Sequence, residues 1–375
     1  MVQVEQRLKW ARRHLRVTRW ALSTLPEVAG VRLAATVHLD DKTAVVVEEL
    51  LTRGAEVYLA APSTLTTHDD VVDYLTERGA RAHAWRAMSE DDRIEGVHRA
   101  LVWGPTHTCE MGADLSVLAV KLAPGEQGTG IRAGLEATQT GVNALVGLDL
   151  PYPVFNWDHV PVKSGLHNRY AVGQGTWIAF VNATQLSLQG TRVLVIGFGP
   201  VGHGLAEMAR ALGAIVTVSE CDPVRILEAS YEGWRVASVE ESLPCADVVV
   251  TATGRRGSLG RAQLELVPDG CFLVNAGHSE DEIDLSALGP RAPVAPHVEE
   301  CAVAGRSLLL FAGGAPANIT AGFGDTLNSF DVTLAVMVRG LGHVITDGPA
   351  SPAGVHLLPE SAWRPVAEQA ARPRP

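Results

Sequence analysis

The stretch VLVIGFGPVGHG, residues 193–204, constrains this chain more than any other. A β-branched run leads into Gly197-x-Gly199-x-x-Gly202, and Leu205, Met208 and Leu212 follow at helical spacing. The order strand, glycine turn, helix is the context in which such a motif binds a dinucleotide. Gly197 permits the tight turn, Gly199 lets the backbone approach a pyrophosphate, and Gly202 lets helix and strand pack closely. The helix start then offers unpaired N–H groups and the positive end of a dipole to an anion. Glu220 ends the next apolar run, IVTVSE, about 20 residues on, where a carboxylate accepts ribose hydroxyls. An acid there repels a 2′-phosphate and favours NAD, while Arg225 nearby leaves NADP open.

The motif sits in an alternating pattern. Before it, VRLAATV (31–37), AEVYLA (55–60), ARAHAW (80–85) and ALVWG (100–104) read as strands, with helices near 42–52 and 67–78. From Thr191 the strands are TRVLVIGFG, IVTVSE, DVVVTATG (247–254), CFLVNAG (271–277) and SLLLFAGG (307–314), with a helix around 201–212. Short strands alternating with helical stretches build parallel sheets with crossover helices. Leu327, Phe330, Leu334, Met337, Val338 and Leu341 predict one further helix over 325–341. The stretch at 123–130 reads as a turn-rich loop and the tail ARPRP as frayed. The expected fold class is α/β, two doubly wound Rossmann-like domains, with the last helix returning to the first.

Charge and cysteines exclude several functions. Asp and Glu number 42 against 31 Lys and Arg, a net charge of −11, which argues against a dedicated nucleic-acid binder. The five cysteines are scattered with no CxxC, so neither a zinc ribbon nor a disulfide framework is expected, and a reducing cytoplasm is the expected home. The basic N-terminus lacks a signal peptide's apolar core, and no run reaches the roughly 18 apolar residues of a membrane span.

Two further groups could carry chemistry. His278 ends the NAGH that closes a later strand, where ligands of open α/β sheets sit; a surface loop histidine is the competing reading. His38 closes the first strand, followed by Asp40 and Asp41, of which either could instead cap the next helix.

In chain order, TRGAEV, THDDV, HAW, VKSGLHNRYAVGQGTWIAFVNATQLSLQGTRVLVIGFGPVGHG, ECDPVRILEASYEGWRV, NAGH and GVHLLP resemble the S-adenosylhomocysteine hydrolase family. The resemblance spans roughly residues 31–360. It implies a substrate domain over 1–165, to which 320–375 returns, and an inserted NAD domain over 166–319. It implies that bound NAD oxidises the nucleoside 3′-hydroxyl, so that C4′–H becomes acidic, the thiol leaves and water adds. Lys163 matches the lysine that handles the 3′-hydroxyl proton, His38 the histidine on the leaving side, and His278 the later histidine. Asn168 matches the asparagine beside the nicotinamide and Asn318 one that contacts cofactor amide groups. Gly197, Gly199, Gly202 and Glu220 match the NAD site, and Thr138 and Thr140 two threonines that hold the cofactor. The family also implies a homo-oligomer acting on a small nucleoside-like substrate.

Departures from the family pattern concentrate on the substrate side. Met111 stands where the family has an aspartate acting at C4′, with Glu110 one residue earlier. Ala137 replaces a substrate-binding glutamate, leaving Glu136. His167 stands for the aspartate that pairs with the lysine, Asp40 for a threonine, and Lys42 for the glutamate that reads the adenine amino group. Asp325 falls where a histidine is expected, and the C-terminal Lys/Tyr tail is absent. The expectation is a hydrolase-like enzyme with an altered substrate, in which Glu110, Glu136, Asp158 or His167 takes over the missing proton transfers. A plain NAD-dependent oxidoreductase and a non-catalytic nucleotide-binding relative remain as alternatives.

Overall fold

The computed structural model describes residues 3–122, 130–277 and 281–373. The stretch read as a turn-rich loop lies, apart from Gly130, outside the described residues, as do His278 and the last two residues of the tail. In chain order the strands are β1 (Arg32–Thr36), β2 (Glu56–Ala60), β3 (Arg81–His83), β4 (His107–Glu110), β5 (Ala133–Glu136), β6 (Pro153–Asn156), β7 (Arg192–Ile196), β8 (Ile215–Ser219), β9 (Arg235–Val236), β10 (Val248–Thr251), β11 (Phe272–Asn275), β12 (Arg291–Ala295), β13 (Val298–Val303), β14 (Arg306–Phe311) and β15 (Gly354–Leu357). They form two sheets in two units. One unit is Met1–Lys163 with Leu327–Pro375, the other Ser164–Thr326.

The first unit holds a seven-stranded sheet in the order β15-β6-β5-β4-β1-β2-β3, parallel throughout. The strand order reverses between β1 and β4, so their carboxyl ends diverge and leave the crevice where such sheets bind ligands. The helix Leu327–Thr346 covers this sheet, burying Phe330, Leu334, Met337, Val338 and Leu341 in its core. Each such side chain contributes about 1.5–3 kcal/mol. Gly340 makes the close approach possible, since a Cβ there would meet Leu135 of β5 at 2.9 Å. Asp331 of the same helix accepts the N–H groups of Val17 and Thr18 at 2.9 and 2.8 Å, satisfying the start of the helix Arg16–Ser23.

The second unit has the order β12-β13-β14-β11-β10-β7-β8-β9, parallel except for the antiparallel β12-β13-β14 edge. Its reversal falls between β7 and β10. The helix Val172–Thr184 crosses the helix Pro200–Ala211 at two glycines, where a Cβ on Gly173 would meet the Gly204 carbonyl oxygen at 2.6 Å. Trp177 Nε1–H donates to the Leu205 carbonyl at 3.0 Å and fixes the crossing.

One sequence expectation is corrected. ALVWG is not a strand: Gly96, Val97, Ala100 and Leu101 form the buried face of the helix Glu90–Val102, capped by Ser89, and the strand is the polar HTCE of β4. An apolar run of that length fits either element, and burial at i, i+3, i+4 decides for helix. The second unit runs to Thr326, and within it the helix Ala317–Thr320 packs on Val172–Thr184. Residues Lys163–Ala171 form a π-helix, the wide-turned form that concentrates at functional sites and has no periodicity to read from sequence.

Candidate functional site

In the second unit the glycine turn has the shape its spacing predicts. Gly197 has φ +96°, and a Cβ there would lie 2.7 Å from the Ala252 carbonyl oxygen. A Cβ on Gly202 would lie 1.9 Å from the Gly197 carbonyl oxygen, so no other residue fits without moving the backbone. Gly199 caps the helix and Pro200 opens it, where its missing N–H costs nothing. Glu220 is tied to this turn. One oxygen accepts the Phe198 N–H at 2.7 Å, the other those of Cys221 and Asp222 at 2.6 and 3.0 Å. Burial opposes its ionisation, but these backbone donors outweigh burial and hold the carboxyl below its ordinary value. Arg225 Nη1 lies 3.9 Å from Glu220.

The neighbouring strand ends are held from beneath. Asn275 accepts from Thr251 Oγ1 at 3.2 Å and from the Gly277 N–H at 2.8 Å, and donates to the Gly314 carbonyl at 2.9 Å. Glu282, fully buried, accepts from the N–H groups of Thr253 and Gly254 at 2.9 and 2.8 Å and so shapes the loop after β10. Sequence reasoning missed it, since EDEID reads as a solvated acidic turn. A glycine cradle, an open helix start and a carboxylate held ionised beside them suit a dinucleotide with a free ribose 2′-hydroxyl.

A polar cluster lies elsewhere in this unit. His167 Nε2 is 2.6 Å from Asp325 Oδ2 and its Nδ1 is 3.2 Å from Asn168 Oδ1. Asn318 is buried, and a Cβ on Gly175 would lie 3.2 Å from the Asn318 Cβ and 3.6 Å from Asp325 Oδ1. That glycine lets the Asp325 segment seat against the helix Val172–Thr184.

In the first unit, His38 follows β1 with its Nδ1 2.9 Å from the hydroxyl of Thr66, a fully buried residue that no sequence pattern singled out. Asp40 is the helix cap, accepting the N–H groups of Lys42 and Thr43 at 2.9 and 3.0 Å, and its second oxygen pairs with Lys42 Nζ at 2.6 Å. Both residues are buried. Burial of Asp40 opposes its charge, but the Lys42 ammonium and the cap bonds prevail and lower its pKa. Lys163 pairs with Asp158, the side chains 10% and 6% exposed.

Glu110 and Glu136 end neighbouring strands in register and are fully buried. Glu110 accepts the N–H groups of Leu115 and Ser116 at 2.7 and 3.2 Å, holding the start of the helix Asp114–Lys121. Glu136 accepts the Gly112 N–H at 3.1 Å and both the N–H and hydroxyl of Thr138 at 2.7 Å. Burial pushes Glu110 up to about 7, and burial with the Glu110 charge pushes Glu136 up to about 8. Thr138 caps the helix Gln139–Leu145, in which Thr140 is half-buried. Met111 and Ala137, at the two positions where acids were expected, are buried and apolar.

This geometry defines an NAD-dependent enzyme of the Rossmann type, a dinucleotide-binding unit joined to a second parallel α/β unit. The chain belongs to the S-adenosylhomocysteine hydrolase family. The profile described as "S-adenosyl-L-homocysteine hydrolase" matches residues 13–142, and that of the family's NAD binding domain matches 168–324. The S-inosyl-L-homocysteine hydrolase of Methanopyrus kandleri is 31% identical over 96% of this chain and 88% of that protein. The adenosylhomocysteinase of Thermococcus kodakarensis is 34% identical over 97% and 89%, and that of Pyrococcus abyssi 36% over 90% and 82%. A dipicolinate synthase polypeptide of Bacillus halodurans shares the fold, with a TM-score of 0.51 at 14% identity over 84% of this chain and all of that one. The cofactor is NAD, and no helix among the described residues is long and apolar enough to cross a membrane.

Proposed function

We propose that this enzyme hydrolyses an S-ribonucleosyl-homocysteine thioether whose base carries a carbonyl, the S-inosyl compound, in preference to the S-adenosyl one. The first unit binds the nucleoside and the second binds NAD. The observation that carries the base preference is the buried Asp40–Lys42 pair, with Nζ and Oδ2 2.6 Å apart. An ammonium donates and never accepts, so at the position that reads the purine 6-substituent it suits a carbonyl oxygen and opposes an amino group. Curated relatives of this chain carry both names, inosyl and adenosyl.

When bound, NAD supplies reversible oxidation at the nucleoside 3′-carbon, which makes C4′–H acidic and the thioether able to leave. Asn168 and Asn318, both buried, would hold the nicotinamide amide. Lys163, as the free amine, takes the 3′-oxygen proton, and Asp158 holds the ammonium so formed in place. His38, oriented through Nδ1 by Thr66, gives a proton to the leaving sulfur. Glu110 holds the helix Asp114–Lys121 through the N–H groups of Leu115 and Ser116, while Glu136, whose Oε1 takes all of its hydrogen bonds and whose buried Oε2 takes none among the described residues, accepts the C4′ proton. The family's enzymes are oligomers and the same assembly is proposed here.

A second reading, a net oxidoreductase acting on a nucleoside or sugar-like alcohol, is favoured by one observation. Met111 and Ala137 are apolar where the family has acids acting on the substrate, and without a proton acceptor there oxidation can proceed while elimination cannot. One assay separates the two. Purified enzyme is given S-inosyl- or S-adenosyl-homocysteine, and free thiol and absorbance at 340 nm are followed together. Thiol release faster from the inosyl compound supports the hydrolase; absorbance growing without thiol supports the oxidoreductase.

A further inference from the structure

The pair formed by His167 and Asp325 has no role in the chemistry above. Its partners lie 158 positions apart in the chain and meet at 2.6 Å, with side chains only 10% and 7% exposed. The other ring nitrogen faces Asn168 Oδ1 at 3.2 Å. A carboxylate gripping one nitrogen of an imidazole fixes the ring plane, and with it the direction in which the second nitrogen points. The nitrogen that faces the Asn168 oxygen can bond to it only as an N–H donor. The Asn168 amide is then held with its oxygen toward the ring and its NH₂ turned the other way. Three local features build this arrangement. The π-helix carries His167 and Asn168, Gly175 leaves space for the Asp325 segment, and Asn168 is 9% exposed. The residue types at 167 and 325 are the reverse of those the family resemblance implies, acid for base and base for acid.

We propose that His167 and Asp325 are positioning residues that set the amide orientation of Asn168 toward NAD. The proposal rests on the reading of Asn168 as a nicotinamide contact. The readout is the Kd of NAD⁺ for apoprotein, by calorimetry, for wild type, N168A, H167A, D325N, H167A/N168A and the exchange H167D/D325H. Apoprotein Tm is measured alongside.

N168A is expected to weaken NAD⁺ binding 10–100-fold, and H167A and D325N each about 10-fold, as supporting residues commonly do. If the ring acts through Asn168, H167A/N168A binds within twofold of N168A, because residues in one network are not additive. The exchange variant keeps an acid and an imidazole but turns an acceptor toward Asn168 Oδ1, so it should bind NAD⁺ no better than H167A, and recovery to wild-type affinity would overturn the proposal. Losses in Tm without losses in Kd, or a double variant whose loss is the product of the single losses, overturn the proposal while the reading of Asn168 stands. A neutral N168A overturns that reading and the proposal with it.

Discussion

The ammonium of Lys163 is paired with the carboxylate of Asp158, five residues earlier in the same unit. Both groups are nine-tenths buried or more. D158N leaves a buried cation without its counter-charge, and the expected loss in unfolding free energy is about 3 kcal/mol. The rate at which nucleoside oxidation appears at 340 nm should fall at least 10-fold, while NAD content stays within twofold. K163M/D158N should regain most of the stability and none of the activity. Unaltered kinetics in D158N would remove Asp158 from the proton-handling machinery.

The Asp40–Lys42 pair sets up a specificity reversal. K42E alone would place two carboxylates where an ion pair now stands, so the informative variant is D40T/K42E. The ratio of kcat/KM for the adenosyl over the inosyl substrate should rise at least 100-fold, since a mispaired buried polar group is a strong discriminator. An unchanged ratio would place base recognition elsewhere.

Stability should depend on pH through Glu110 and Glu136. Their folded values, about 7 and about 8, lie above the ordinary carboxyl value of 4.5, so folding retains protons that the unfolded chain has released. The stabilisation is complete below about pH 4.5 and is lost as pH rises through 7 to 8, at up to about 1.4 kcal/mol per pH unit for each proton. Thermal melts between pH 5 and 8.5 should show Tm falling, with a flatter profile in E136Q. Parallel profiles for the two proteins would contradict the assignment.

Cofactor choice rests on Glu220 against Arg225. E220S frees the backbone donors of Phe198, Cys221 and Asp222 and leaves the guanidinium in place. The Kd ratio of NADP⁺ to NAD⁺ should shift at least 10-fold toward NADP⁺, and E220S/R225A should abolish that shift. A ratio that stays fixed in E220S would show that the 2′-position is read by other groups.

Two substitutions in the glycine turn should separate folding from binding. A Cβ at position 202 meets backbone at 1.9 Å, so G202A should lower both Tm and NAD content. At position 199 the nearest atom is the mobile Arg225 guanidinium at 3.3 Å, so G199A should fold normally and bind NAD⁺ about 10-fold more weakly. Equal Tm for the two variants would show that the turn is not held as tightly as its contacts indicate.

What could be read from the residues in order is what depends on near neighbours. Glycine spacing, β-branched runs and the apolar stripe ending at Leu341 each express a local periodicity, and these determined two largely parallel sheets, a dinucleotide turn and a covering helix. The same local reading mistook ALVWG for a strand, because a short apolar run fits both periods. It also passed over the polar β4 and the buried Thr66 and Glu282. Which charge meets which was decided by the tertiary structure alone. Asp40 was legible as a cap but its grip on Lys42 was not, and Asp158 emerged as the partner of Lys163. His167 and Asp325 stand 158 positions apart with no shared pattern. Buried ions are expensive unless matched, and the match is made by whatever the folded backbone brings within reach, which no local periodicity encodes.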